Sequence, residues 1–267
     1  MIRAFLFRAA LPPFFICARR NFSPVSSYLC AETQVSLFKT VHQEGTLQIM
    51  FTLSLHGRNL RIIESGSGGP AVFWGCGDRE SPEAIVRLLD GRNFLLVAYD
   101  VGDWNRAFSP WPAPPVFGSE GFSGGGRETL DWLCSDCIPA VEARFGVREK
   151  LLCGYSLAGL FSLWAFYETG VFSGAASCSG SLWFPGWQDF MHGRCAPPGS
   201  RVYLSLGDRE EHTKNRLLRG IGDTTRAQYA ALQADPHITR CTLFWESGGH
   251  FAEPEKRLAR GVGWLLD

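Results

Sequence analysis

This chain has no charge to spare. Its 26 lysines and arginines are matched by 26 aspartates and glutamates. No basic excess prepares a surface for nucleic acid, and no run of like charge marks a membrane-binding face. Acid is missing altogether from the first 31 residues, which carry Arg3, Arg8, Arg19 and Arg20. Arg8 and Pro12-Pro13 interrupt the apolar stretches there, short of the roughly 20 apolar residues a membrane helix needs. No membrane span is expected, and no internal repeat is present.

Paired cysteine motifs are also lacking. Cys134-Ser135-Asp136-Cys137 has C-x-x-C spacing but no second pair, and it falls within a helical pattern. It reads as two thiols on a helix face rather than a zinc or redox site. The nine cysteines (Cys17, Cys30, Cys76, Cys134, Cys137, Cys153, Cys178, Cys195 and Cys241) are odd in number, and several sit inside apolar runs. That describes free thiols in a reducing compartment, so the cytoplasm is the expected location. Nothing implies a metal or an organic cofactor.

The acid-poor, Arg- and Ser-containing N-terminus fits an organelle-targeting segment. The alternative is an unstructured extension with Met50 as the functional start. On either reading, residues 1–49 stand outside the fold and residues 50–267 form one domain.

The domain has enough apolar residues, 45% of the chain, for one substantial core. Phe51 to Leu55 and Leu60 to Glu64 flank His56-Gly57-Arg58-Asn59 and read as a hairpin. Further strands are expected at Ala71 to Gly75, Phe94 to Tyr99, Lys150 to Cys153, Gly174 to Cys178, Arg201 to Leu206 and Cys241 to Trp245. Helices are expected at Ser81 to Leu89, at Arg127 to Phe145, after Ser156, after Thr224 and after Pro254. The alternation predicts a mostly parallel, eight-stranded, doubly wound sheet in a three-layer α/β/α arrangement.

Gly154-Tyr155-Ser156-Leu157-Ala158-Gly159 lies between a strand and a helix. A serine at the apex of so sharp a turn projects its hydroxyl beyond the sheet edge, and the positions beside it must be small. Ser156 is therefore the candidate nucleophile. Gly121-Phe122-Ser123-Gly124-Gly125 matches G-x-S-x-G more literally, but a Pro- and Gly-rich loop precedes it, so Ser123 is set aside.

A serine hydroxyl needs a histidine to take its proton and an acid to orient that histidine. His250, in Glu246-Ser247-Gly248-Gly249-His250, follows the last strand and is the candidate base. The acid is sought on Gly207-Asp208-Arg209-Glu210-Glu211, after the preceding strand. Glu210 is favoured, with Asp208 and Glu211 left open. The backbone N–H of Leu157, at a helix N-terminus, is the first expected oxyanion donor. The second is sought on Trp74-Gly75-Cys76-Gly77-Asp78, with Cys76 named and Gly77 next. Two loops rich in Trp and Pro suggest an apolar pocket bounded by Trp104, Trp111 and Trp183, with Tyr155 beside the nucleophile.

Gly154 to Glu168, together with Cys178-Ser179-Gly180-Ser181-Leu182-Trp183, resembles an esterase family of the α/β-hydrolase superfamily. That family includes esterase D-like enzymes, siderophore trilactone esterases and antigen 85-type mycolyltransferases. The similarity spans about Pro70 to Leu266. It implies an α/β-hydrolase fold, Ser156 as nucleophile, His250 as base and an acid on the Gly207 loop. Ala158 departs from the usual glycine. The expected activity is hydrolysis of a small-molecule carboxylic ester through an acyl-enzyme. The alternatives are acyl transfer on the same machinery and a non-catalytic binding protein of this fold.

Overall fold

The computed structural model describes residues 34–41, 47–77, 80–116 and 118–267. The reading of residues 1–31 as a targeting segment lies outside them, as does Asp78.

The chain begins with β1 (Gln34–Val41), β2 (Leu47–Leu55) and β3 (Arg58–Ser65). His56 and Gly57 join β2 to β3, both at positive φ (51° and 77°), as a two-residue turn between right-twisted strands requires. Then come β4 (Ala71–Cys76), α1 (Pro82–Leu88), β5 (Phe94–Asp100) and α2 (Trp104–Phe108). The two-residue strands β6 (Pro112–Ala113) and β7 (Phe122–Ser123) pair with each other. α3 (Gly126–Trp132), a π-helical turn (Leu133–Cys137) and α4 (Ile138–Phe145) lead to β8 (Lys150–Tyr155) and α5 (Leu157–Glu168). The rest is β9 (Gly174–Cys178), α6 (Trp187–Met191), β10 (Ser200–Gly207), α7 (Arg216–Arg219), α8 (Ile221–Ala234), β11 (Ile238–Glu246) and α9 (Pro254–Leu266).

All eight expected strands are present. Gln34–Val41 adds a ninth by pairing antiparallel with β2, so the sheet extends into the stretch that composition alone set aside. The sheet order is β1-β2-β3-β5-β4-β8-β9-β10-β11. The β1-β2, β2-β3 and β3-β5 pairs are antiparallel, and every pair from β5-β4 onward is parallel.

Alternate residues of the central strands feed two apolar layers. Phe73, Val97 and Leu152 point into the core shared with α3, α4, α5 and α8, whereas Val72, Trp74, Leu96 and Leu151 meet α1 and α9. This is why β4 and β5 are near-continuous apolar runs. α5 is buried along most of its length, as a helix that is apolar all round must be.

Two local features differ from the expectation. The stretch Trp104 to Phe108, expected as loop, is helical because the Asp103 side chain caps it, accepting the Arg106 N–H at 3.0 Å. The single helix expected from Arg127 to Phe145 widens into a π turn just before Ile138-Pro139. Pro139 has no N–H to give the preceding turn, and a wider turn accommodates that gap. Cys134 and Cys137 lie in this turn, with Cys137 fully buried. No described helix is long and apolar enough to cross a membrane.

Candidate active site

The C-terminal ends of β8, β9, β10 and β11 face one rim, where ligands bind in open α/β sheets. Ser156 stands between β8 and α5 with φ 57° and ψ −123°, a strained conformation for a residue with a side chain. Its N–H donates to the Cys178 carbonyl at 3.1 Å, and its carbonyl accepts from Leu160 (3.1 Å) and Ser181 (2.9 Å). The neighbouring helix turn leaves no room at Gly154, where a Cβ would lie 2.2 Å from the Ala158 carbonyl oxygen. Ala158 is buried with its methyl accommodated, which explains why this departure from the glycine pattern is tolerated.

Three distant stretches converge on the serine. The His250 Nε2 lies 3.0 Å from the Ser156 Oγ, and its Nδ1 lies 2.7 Å from the Glu210 Oε2. With a carboxylate at Nδ1, the proton belongs there, leaving the Nε2 free to accept from the serine hydroxyl. Burial would raise the Glu210 carboxyl. Hydrogen bonds from His250, Gly207 and Ser179 outweigh it and hold the group below its ordinary value, so Glu210 is ionised at neutral pH.

Of the three acids considered, Glu210 is the one that meets the imidazole. The Asp208 Oδ1 accepts the Gly248 N–H at 2.8 Å, and Glu211 pairs with Arg226 at 3.0 Å. The two loops approach so closely at Gly207 that a Cβ there would lie 2.4 Å from the Gly248 carbonyl oxygen.

The Leu157 N–H belongs to the first helical residue after Ser156, at the positive end of the α5 dipole. Cys76 ends β4 with its side chain buried, and burial pushes its thiol up to about 12. The Gly77 N–H already donates to the Glu80 Oε2 at 2.7 Å, which counts against it as the second donor.

A cavity of about 370 Å³ opens over Ser156 and His250. Trp183, Leu218, Ile221 and Phe251 form its apolar walls, with Ser181, Thr213 and Arg209 adding polar groups. Three of the expected pocket residues are not among its lining. Trp111 spends its indole N–H on the Pro185 carbonyl at 2.7 Å and packs edge-on against Phe184 and at a tilt against Phe190, holding the Trp183 loop. Trp104 rests on Phe108 and against Gly77. Tyr155 is buried beneath the histidine and donates its hydroxyl to the His250 carbonyl. Ser123 is exposed at the end of the two-residue strand β7 and is not among the residues that line the cavity.

Sequence reasoning missed several neighbours. Ser181 places its Oγ 3.5 Å from that of Ser156. Ser179, buried with φ 44°, donates to the Glu210 Oε1 at 2.8 Å. Arg257 is 2% exposed and lies 3.1 Å from the same oxygen. Its signal was an arginine on the apolar stripe of a terminal helix. Phe251 is 90% exposed and stands edge-on to His250.

No protein-family model and no curated protein matches this chain. Solved structures do. The siderophore hydrolase EstA from Aspergillus nidulans superposes with a TM-score of 0.67 at 17% identity, covering 92% of this chain and 98% of its own. An IroE-like serine hydrolase from Shewanella oneidensis gives 0.68 at 15% identity, covering 88% and 80%. The siderophore hydrolase EstB from Aspergillus nidulans gives 0.65 at 14%, covering 90% and 98%. This chain is similar to these hydrolases along about nine-tenths of its length, and its fold is the α/β-hydrolase fold.

Proposed function

We propose that this protein is a serine carboxylesterase acting on a small-molecule ester. The observation that carries the reading is the His250 imidazole held between the Ser156 hydroxyl (3.0 Å) and the Glu210 carboxylate (2.7 Å). The siderophore hydrolases among its structural neighbours support the same reaction class. The substrate carries an apolar portion, matched to the walls formed by Trp183, Leu218, Ile221 and Phe251.

Each step follows from the positions of these groups. The Ser156 Oγ attacks the ester carbonyl as the His250 Nε2 takes its proton, and Glu210 stabilises the imidazolium through Nδ1–H. The tetrahedral oxyanion turns toward the Leu157 N–H, with Cys76 as the second donor. Collapse expels the alcohol, which receives the proton from His250. Water, activated by the same histidine, then releases the acid and restores Ser156. A reducing compartment, the cytoplasm or an organelle reached through a targeting segment, belongs to this reading, and the seven described cysteines, all free, support it.

A fluorophosphonate probe followed by turnover of a short p-nitrophenyl ester tests it. Ser156 is expected to label stoichiometrically, and Ser156→Ala is expected to lose about 10⁴-fold or more in kcat. Folded wild type that neither labels nor turns over ester overturns the reading.

A further inference from the structure

Arginine is almost never fully buried without a partner. Arg257 lies on the core-facing stripe of α9 beside Leu258, Gly261 and Leu265. Docking of the helix would be served as well by an aliphatic residue, and a buried ion pair is weak reason for stability by itself. The guanidinium instead divides its donors between the two loops that carry the acid and the base. Its Nη1 reaches the Glu210 Oε1 at 3.1 Å, the Ser179 Oγ at 2.9 Å and the Tyr155 hydroxyl at 3.3 Å. Its Nη2 donates to the carbonyls of Ser247 (3.1 Å) and Gly249 (3.0 Å), on either side of Gly248.

We propose that Arg257 is a positioning residue of the ester-hydrolysing site, clamping the Glu210 loop to the His250 loop and balancing the charge of Glu210. This rests on the esterase reading.

Three consequences follow. First, the Glu210 Oε1 is fixed by Arg257, Ser179 and the Gly207 N–H (2.8 Å), so Oε2 alone faces the imidazole. Second, the histidine loop is held at the Ser247 and Gly249 carbonyls directly and at the His250 carbonyl through Tyr155. Third, the Glu210–Arg257 pair is neutral. Without the arginine, a buried carboxylate would face His250 alone and favour the imidazolium, which cannot accept the serine proton.

The other groups near the pair do not supply this balance. Burial pushes the Tyr155 phenol and the Cys178 thiol each up to about 12, so both are neutral. Glu246 is paired with Arg260. Asp208 faces Gly248 from the exposed side of the loop, and Arg209 is exposed at the cavity.

The test combines Arg257→Met and Arg257→Lys with Glu210→Gln. Arg257→Met is expected to lower kcat about 10- to 100-fold with little change in KM. It should also move the acidic limb of the kcat/KM profile upward by about one pH unit. In the Glu210→Gln background the same change should cost less and move no limb, because the charge that Arg257 balances is gone and only its hold on the histidine loop is left to lose. Arg257→Lys keeps the charge but not the fork. It should therefore keep the limb and lose at least about fivefold in kcat, a prediction that stands even if the Met variant fails to fold.

Native kcat in folded Arg257→Lys, or equal losses from Arg257→Met with and without Glu210, overturns the proposal. Failure of the esterase reading is separate, because it shows in wild type as absence of labelling at Ser156.

Discussion

The Asp208 carboxylate accepts the Gly248 N–H at 2.8 Å. It therefore holds the backbone of the histidine loop and leaves the imidazole to Glu210, two residues on. Glu210→Gln keeps the shape but removes the negative charge that fixes the proton on Nδ1. It is expected to cost about 10²- to 10⁴-fold in kcat with little change in KM. Asp208→Asn and Glu211→Gln should stay within about tenfold of wild type. Steady-state kinetics of the three variants checks the assignment. If Asp208→Asn is the most damaged, Asp208 is the acid.

The elbow makes a steric prediction. Gly154→Ala would drive a methyl toward the Ala158 carbonyl oxygen, 2.2 Å from where its Cβ must sit, and backbone cannot yield as a flexible side chain can. The expected outcome is a protein that is inactive or fails to accumulate folded. Ala158→Gly removes only a methyl at a helix position. It should cost about 1 kcal/mol or less in stability while leaving Ser156 reactive. Probe labelling and thermal melts of both variants decide the matter, and active, stable Gly154→Ala would mean the turn is not built as described.

Ser156 and His250 were legible in the sequence because each sits where an element ends. Glycine-rich punctuation between a strand and a helix has few other uses. The eight core strands were legible because both faces of most of them are covered. The carboxylate that meets the imidazole was harder to read, since three carboxylates within four residues share one loop. Only the third dimension separates the one facing His250 from those facing Gly248 and Arg226. The aromatic loops misled in part. Trp111 satisfies its indole on Pro185 and supports the loop instead of lining the cavity. Arg257 stood out only as an arginine on an apolar stripe, and its role was not legible because its partners come from four separate segments, at residues 155, 179, 210 and 247–249.

One arginine stands at the cavity. Arg209 lines it and is exposed. On the same loop, Glu210 is engaged with His250 and Arg257, and Glu211 with Arg226. A guanidinium at the edge of an apolar cavity should favour esters with an anionic group beyond the apolar portion. Arg209→Glu is expected to lower kcat/KM for a carboxylate-bearing p-nitrophenyl ester about tenfold relative to its neutral isostere. The wild-type preference should weaken as salt is raised. Equal effects on both esters would remove Arg209 from substrate selection.

Glu210 also ties stability to pH. Although burial opposes it, the hydrogen bonds from His250, Gly207 and Ser179 hold this carboxyl below its ordinary 4.5. The folded protein thus binds a proton at Glu210 less readily than the unfolded chain does. The stabilisation from ionised Glu210 is complete above about pH 4.5 and is lost as the pH falls through the lower, folded value. Wild type should therefore melt above Glu210→Gln at pH 7, and the gap should narrow steadily once the pH drops below 4.5. Other carboxylates titrate in both proteins and cancel in the difference. Thermal melts of the pair from pH 7 to pH 3 provide the measurement. A gap that holds constant or widens on acidification would show that the charge on Glu210 does not stabilise the fold.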